Sequence, residues 1–142
     1  MALTPQYSDA AVNAMAEALA ALLNNGYLRI YDGPQPTTAN EAITAENHLL
    51  AELRFAADAF IDAVAGVSAS NPVTQDSSAN ATGIAEWGRA LKSDGTTVVM
   101  DGSAGLTDAN WLINDDNIII GGTVSCSGVV LSVSTGGEYI PE

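Results

Sequence analysis

The sequence predicts a mainly β protein: a β-sandwich or small barrel of about six to eight short strands, preceded by one N-terminal α-helix. Three observations lead there. Short runs rich in aliphatic and β-branched residues recur along the second half, at Ile84–Leu91, Thr96–Met100, Asn117–Ile120, Thr123–Ser127 and Val129–Ser134. Gly, Ser, Asn and Asp separate them, as at Gly121-Gly122 and Gly128. A clear helical period is confined to residues 8–25.

In that helix Val12, Met15, Leu19 and Leu22 recur at helical spacing. Ser8 or Asp9 can cap its start, and Gly26 follows its end. Alanine fills most of the remaining surface, so the helix can lie close against a neighbour, either its own sheet or another subunit. Val12, Met15, Leu19 and Leu22 are therefore candidates for an interface.

Tyr27 to Asp32 switches to a period of two, with Leu28 and Ile30 on one face and Tyr27, Arg29 and Tyr31 on the other. Gly33-Pro34-Gln35-Pro36 ends this strand, because proline cannot donate to a ladder. Residues 37–46 are polar, with room for a helical turn around 40–43. Residues 47–65 carry two signals. Leu49, Ala51, Leu53 and Phe55 alternate against Leu50, Glu52 and Arg54 as a strand would, yet by propensity 41–65 can also form one long helix. Residues 66–82, rich in Ser, Ala and Asn, read as loop with a short strand at most. Lys92-Ser93-Asp94-Gly95 joins two strand-like runs, and Asp-Gly supplies the positive φ angles of a hairpin turn. Asp101 to Gly105 reads as another loop. The organisation is a single domain: an arm and helix over 1–26, a β-rich body over 27–134, and an extended C-terminal tail over 135–142.

A chain of 142 residues can bury a proper core, but with aromatics at 6% and much alanine that core is thin. Part of the stability is then expected from association. Four Lys and Arg stand against 17 Asp and Glu, a net charge of −13. Nucleic-acid binding needs cations to neutralise phosphates, and Arg29, Arg54, Arg89 and Lys92 look scattered along the chain. No nucleic acid and no anionic membrane surface is expected as a partner. The acidity suits solubility or a partner with a basic face. The start Met1-Ala2-Leu3-Thr4-Pro5 has no basic and apolar leader pattern, so the expectation is a soluble protein made in the cytoplasm. Cys126 is the one cysteine and reads as a small buried strand residue.

Candidate chemistry is sparse. His48 is the only histidine, and a Ser or Cys nucleophile would need it as base, oriented by a third group. Asp101, Asp108, Asp115 and Asp116 lie close in sequence with Asn110, Asn114 and Asn117, and loop oxygens are what Ca²⁺ takes. Their spacing is not that of an EF-hand, and the same residues make ordinary Asx turns. Trp87 reads as core. Trp111 reads as core or as an interface anchor. Tyr139, in the tail, is a further interface candidate. No catalytic residue and no cofactor is expected.

Several stretches carry a resemblance in combination. They are Tyr27 to Pro36, Leu49 to Phe55, Asp76-Ser77-Ser78-Ala79-Asn80-Ala81-Thr82-Gly83, and Lys92 to Ser103. In this order, over about residues 27–133, the chain resembles a family of small structural proteins encoded among the head and tail genes of tailed bacteriophages. The resemblance favours a strand over 49–55. It implies a virion part, foremost a capsid decoration (cement) protein on the head surface. Its implied partners are the major capsid protein and itself, as a homotrimer at local three-fold positions. A head–tail connector or tail component, or a head-fibre module for the host surface, stand as alternatives.

Overall fold

The computed structural model describes residues 5–136. One helix, α1 (Asp9–Ala21), precedes nine strands: β1 (Tyr27–Tyr31), β2 (Leu49–Arg54), β3 (Val67–Ala69), β4 (Gly83–Ile84), β5 (Trp87–Leu91), β6 (Val98–Gly105), β7 (Trp111–Leu112), β8 (Asn117–Ile118) and β9 (Val130–Ser132). The architecture is mainly β with an N-terminal helix, as expected. A five-stranded sheet, in the order β2-β1-β5-β6-β7, is antiparallel except where β7 joins β6. The pairs β3–β9 and β4–β8 complete the body.

Ser8 caps α1 by accepting the Ala11 N–H at 3.1 Å, and the helix ends four residues earlier than its apolar period suggests. The reason lies in the following segment. Asn24 Oδ1 accepts the Ala59 N–H at 2.9 Å, and the backbone of Asn25 bonds that of Ala56, which draws Asn24 and Asn25 out of the helix. The helix packs on β3 and β9 of its own chain. Val12 is fully buried there, and Leu19 is half-buried against the core. Neither is therefore free to form an interface. Met15 and Leu22 remain exposed.

Residues 56–65 are not helical. Glu17 Oε1 accepts from Ala63 N at 3.1 Å, and Asn13 Oδ1 accepts from Gly66 N at 2.7 Å. Together with Asn24, α1 thus takes up backbone N–H groups, at Ala59 and Ala63, that one long helix over 41–65 would have used internally, and a further one at Gly66.

The core lies on one face of the five-stranded sheet. Leu28, Ile30, Leu53, Ala51 and Ala90 point there, and Leu23, Leu131, Ile118 and Val124 close over them. Trp111 sits at its centre with no exposed surface, donating its Nε1–H to the Gly88 carbonyl at 3.0 Å. Gly88 is required at this point: a Cβ there would lie 2.8 Å from Trp111 Cδ1. Trp111 is core, and its expected alternative role as an interface anchor is excluded by that burial.

The hairpin at 92–95 is present. Gly95 has φ of +72°, and Asp94 accepts from the N–H groups of Thr96 and Thr97 at 2.9 and 2.8 Å. Residues 101–105, expected as loop, instead extend β6. The run Ile84–Leu91 is divided between β4 and β5, because the chain passes from one sheet to the other at Ala85-Glu86.

Candidate functional site

The sheet face opposite the core carries side chains in rungs across four strands. The register sets Glu52 beside Arg29, Arg29 beside Arg89, and Arg89 beside Asp101. One rung therefore reads Glu52, Arg29, Arg89, Asp101 from β2 to β6. On one side of it Tyr31 and Trp87 stack at 4.8 Å between ring centroids. On the other side come Arg54, Tyr27 and Leu91, with the Arg54 guanidinium 4.3 Å from the Tyr27 ring centroid. Three of the four cations thus share one sheet face, where they had looked scattered.

Carboxylates hold two of them. Arg89 donates from Nε to Asp101 Oδ1 at 2.8 Å and from Nη2 to Asp101 Oδ2 at 3.0 Å, a bidentate pair. The Arg89 side chain is 6% exposed and that of Asp101 4%. The hydrogen bonds to Asp101 hold the Arg89 pKa above its ordinary value, against desolvation. Arg29 donates from Nε alone to Glu52 Oε2 at 2.7 Å, with a quarter of its side chain exposed. Neither of its terminal nitrogens donates to a carboxylate among the described residues. Burial raises the Tyr31 pKa, and the neighbouring Arg29 and Arg89 charges oppose that rise.

A strap, residues 33–47, crosses this face. Gly33, at φ +73°, turns the chain out of β1. Asn47 closes the base of the strap, donating from Nδ2 to the Asp32 and Pro34 carbonyls at 3.0 Å each. The crest is tied down by Arg89, whose Nη2 also donates to the Glu41 carbonyl at 2.8 Å. Between strap and hairpin lies a groove of about 440 Å³. Arg29 and Arg89 form its floor, while Ile43, Leu91 and Val98 give it an apolar wall. It is suited to a chain that offers carboxylate and apolar groups together.

The other sequence candidates fall elsewhere. Asp101, Asp108, Asp115 and Asp116 are not gathered into one group: Asp101 is held by Arg89, Asp115 accepts from the Asn117 N–H at 2.9 Å, and no cluster of three or more His, Cys, Asp or Glu suited to a metal ion occurs among the described residues. The His48 ring is bonded to Asp32, Nδ1 to Oδ2 at 3.0 Å, and no hydroxyl or thiol bonds it among the described residues. Cys126 is buried away from that pair, and burial raises its thiol pKa. Tyr139 lies outside the described residues. No helix among the described residues is long and apolar enough to cross a membrane.

Two exposed apolar patches had no signal in the periodicity. Ile84, Ile119 and Ile120 gather where β4 pairs with β8, each more than half exposed. Val67 and Val130 share the outward face of β3–β9, since Ser68 and Leu131 point inward, and Val64 hydrogen-bonds Val67 beside them. Both lie on short pairs whose partners are distant in sequence. Comparison of the chain with protein-family models, with curated proteins and with solved structures gives no match in any of the three.

Proposed function

We propose that this chain is a non-enzymatic virion structural protein, a capsid decoration protein that binds the shell of a tailed-phage head and stabilises it. The observation that carries the reading is the pair of exposed apolar patches on two separate strand pairs, Ile84/Ile119/Ile120 at β4–β8 and Val64/Val67/Val130 at β3–β9. Exposed apolar clusters on a small soluble body mark contact surfaces. Two of them, on one rigid β body, suit a subunit that bridges neighbours. Many such modest contacts, engaged together on a shell, give strong attachment through effective concentration. No hydroxyl or thiol bonds the His48 ring among the described residues, and Cys126 is buried, so neither is paired as a nucleophile with a base there. The phage-family resemblance supplies the shell as the partner.

The host-surface alternative gains no support here. Among the described aromatic residues only Tyr7 is exposed, so the described residues display no aromatic platform for a sugar. The test is sedimentation of purified chain with phage heads stripped of it. Wild type is expected to pellet with the heads and to raise their resistance to heat. Ile119→Lys/Ile120→Lys, and separately Val64→Lys/Val130→Lys, are expected to remain folded and lose binding by tenfold or more, roughly the effect of 1.4 kcal/mol. Failure of the wild-type chain to rebind the heads, with no change in their heat resistance, overturns the reading.

A further inference from the structure

We propose that the groove over the charged rung is the docking site for residues 137–142 of a neighbouring copy of this chain. The inference deepens the decoration reading, and rests on it for the expectation that copies meet. Its basis is chemical fit. In a chain of net charge −13, the groove floor carries Arg29, whose terminal nitrogens donate to no carboxylate among the described residues, beside an Arg89 already held by Asp101 and the Glu41 carbonyl. Beside them stands the apolar wall of Ile43, Leu91 and Val98. An occupant that pairs the Arg29 terminal nitrogens and covers the apolar wall brings a carboxylate and apolar groups within a short extended stretch. Gly137-Glu138-Tyr139-Ile140-Pro141-Glu142 does so, with two carboxylates flanking Tyr-Ile-Pro and no cation.

A neighbour's segment fits better than the chain's own. Gly136 pairs with Gln6, just ahead of α1, and α1 lies on the core side of the sheet. The groove is on the opposite side. Six residues span at most about 20 Å when fully extended, and the chain's own segment would spend that length passing from the α1 side of the sheet to the other before it could lie along the groove. In a neighbouring copy the same segment starts from a different place. Exchange of such arms around a closed ring satisfies every groove and leaves none over.

The test uses the full chain, its self-association followed by analytical ultracentrifugation across a concentration series. The variants are Glu138→Gln/Glu142→Gln, Tyr139→Ala and Arg29→Gln. The tail variants alter nothing among residues 5–136, so they keep the test valid even if Arg29→Gln unfolds. Wild type is expected to associate, with each variant weakening association about tenfold or more through loss of a charge-assisted or apolar contact. A free peptide of sequence 137–142 is expected to compete, and high salt to weaken the assembly. Unchanged association in the tail variants, or a wild type that stays monomeric at every concentration, overturns the proposal. Tail variants that associate normally and still bind heads remove this inference and leave the decoration reading standing. Tail-dependent assembly that never binds heads does the reverse.

Discussion

Replacing Asp101 by Asn tests the rung at its most buried point. The substitution keeps the side-chain shape and removes one charge. Arg89, 6% exposed, is left with the Glu41 carbonyl and a neutral amide as its partners. Arg29 stands beside it in the same rung with its own carboxylate, Glu52, held through one nitrogen. Two guanidiniums then share a single carboxylate, and facing like charges across strands destabilise a sheet. Removing one partner of a buried pair costs about 3–5 kcal/mol, because the remaining charge keeps its desolvation penalty without compensation. With a urea m-value of about 2 kcal/mol/M, the midpoint falls by roughly 1.5–2.5 M. The double variant Arg89→Met/Asp101→Leu removes both charges and retains apolar volume, so it is expected to lie much closer to wild type. Urea unfolding followed by tryptophan fluorescence reads both, since Trp87 stands beside Arg89. If the single and double variants lose the same stability, the cost does not come from an orphaned charge and the reasoning fails.

Two further expectations follow from the packing and from the pKa shifts. Gly88→Ala places a Cβ 2.8 Å from Trp111 Cδ1 and 3.1 Å from Ile30 Cδ1, so overpacking is expected to cost about 1–3 kcal/mol, read as a lower thermal midpoint; an unchanged midpoint would mean that Trp111 is not seated on β5. Tyr31 has its pKa raised by burial above an ordinary value of 10.0, so its protonated form is favoured in the folded state. Its contribution is full below pH 10 and is lost as pH rises through the folded value. Tyr31→Phe is expected to flatten the alkaline loss of stability as pH rises above 10.0, and equal slopes in the two proteins would refute the assignment.

The elements legible in the sequence are those whose signal is local. The alternation of β1, the cap at Ser8 and the Asp94-Gly95 turn each appear where their residues indicated. Strand pairing is not local. β1 finds β5 some sixty residues away, and only that register turns scattered arginines into a rung. Asp101 to Gly105 has the composition of a turn yet forms a strand, for reasons that lie outside the segment. Asp101 is held by Arg89, a Cβ on Gly102 would lie 2.7 Å from that of Asn110, and the Asn110 amide oxygen accepts the Ser103 N–H at 2.9 Å. Tertiary contacts override propensity here. The alanine-rich segment 56–65 shows the same conflict, decided by Asn13, Glu17 and Asn24 reaching across from and just beyond α1. The strap and groove gave no sequence signal, because a polar stretch after two prolines acquires meaning only once Arg89 reaches the Glu41 carbonyl.

The rung also explains why the core is single and thin. A five-stranded sheet with two apolar faces would need covering layers on both sides. Here one face is given to Leu28, Ile30 and Ala90, and the other to the four charges of the rung, Arg54 and the aromatic residues Tyr27, Tyr31 and Trp87. Such a charged face cannot take a second apolar layer without stranding guanidiniums. It accepts a light strap, hydrogen-bonded at its crest and open at its side. Stability is then limited on that face, and any added burial has to come from something that brings carboxylates with it. The acidic composition, which repels anions elsewhere on the surface, leaves the arginine groove as the place where such a segment is attracted.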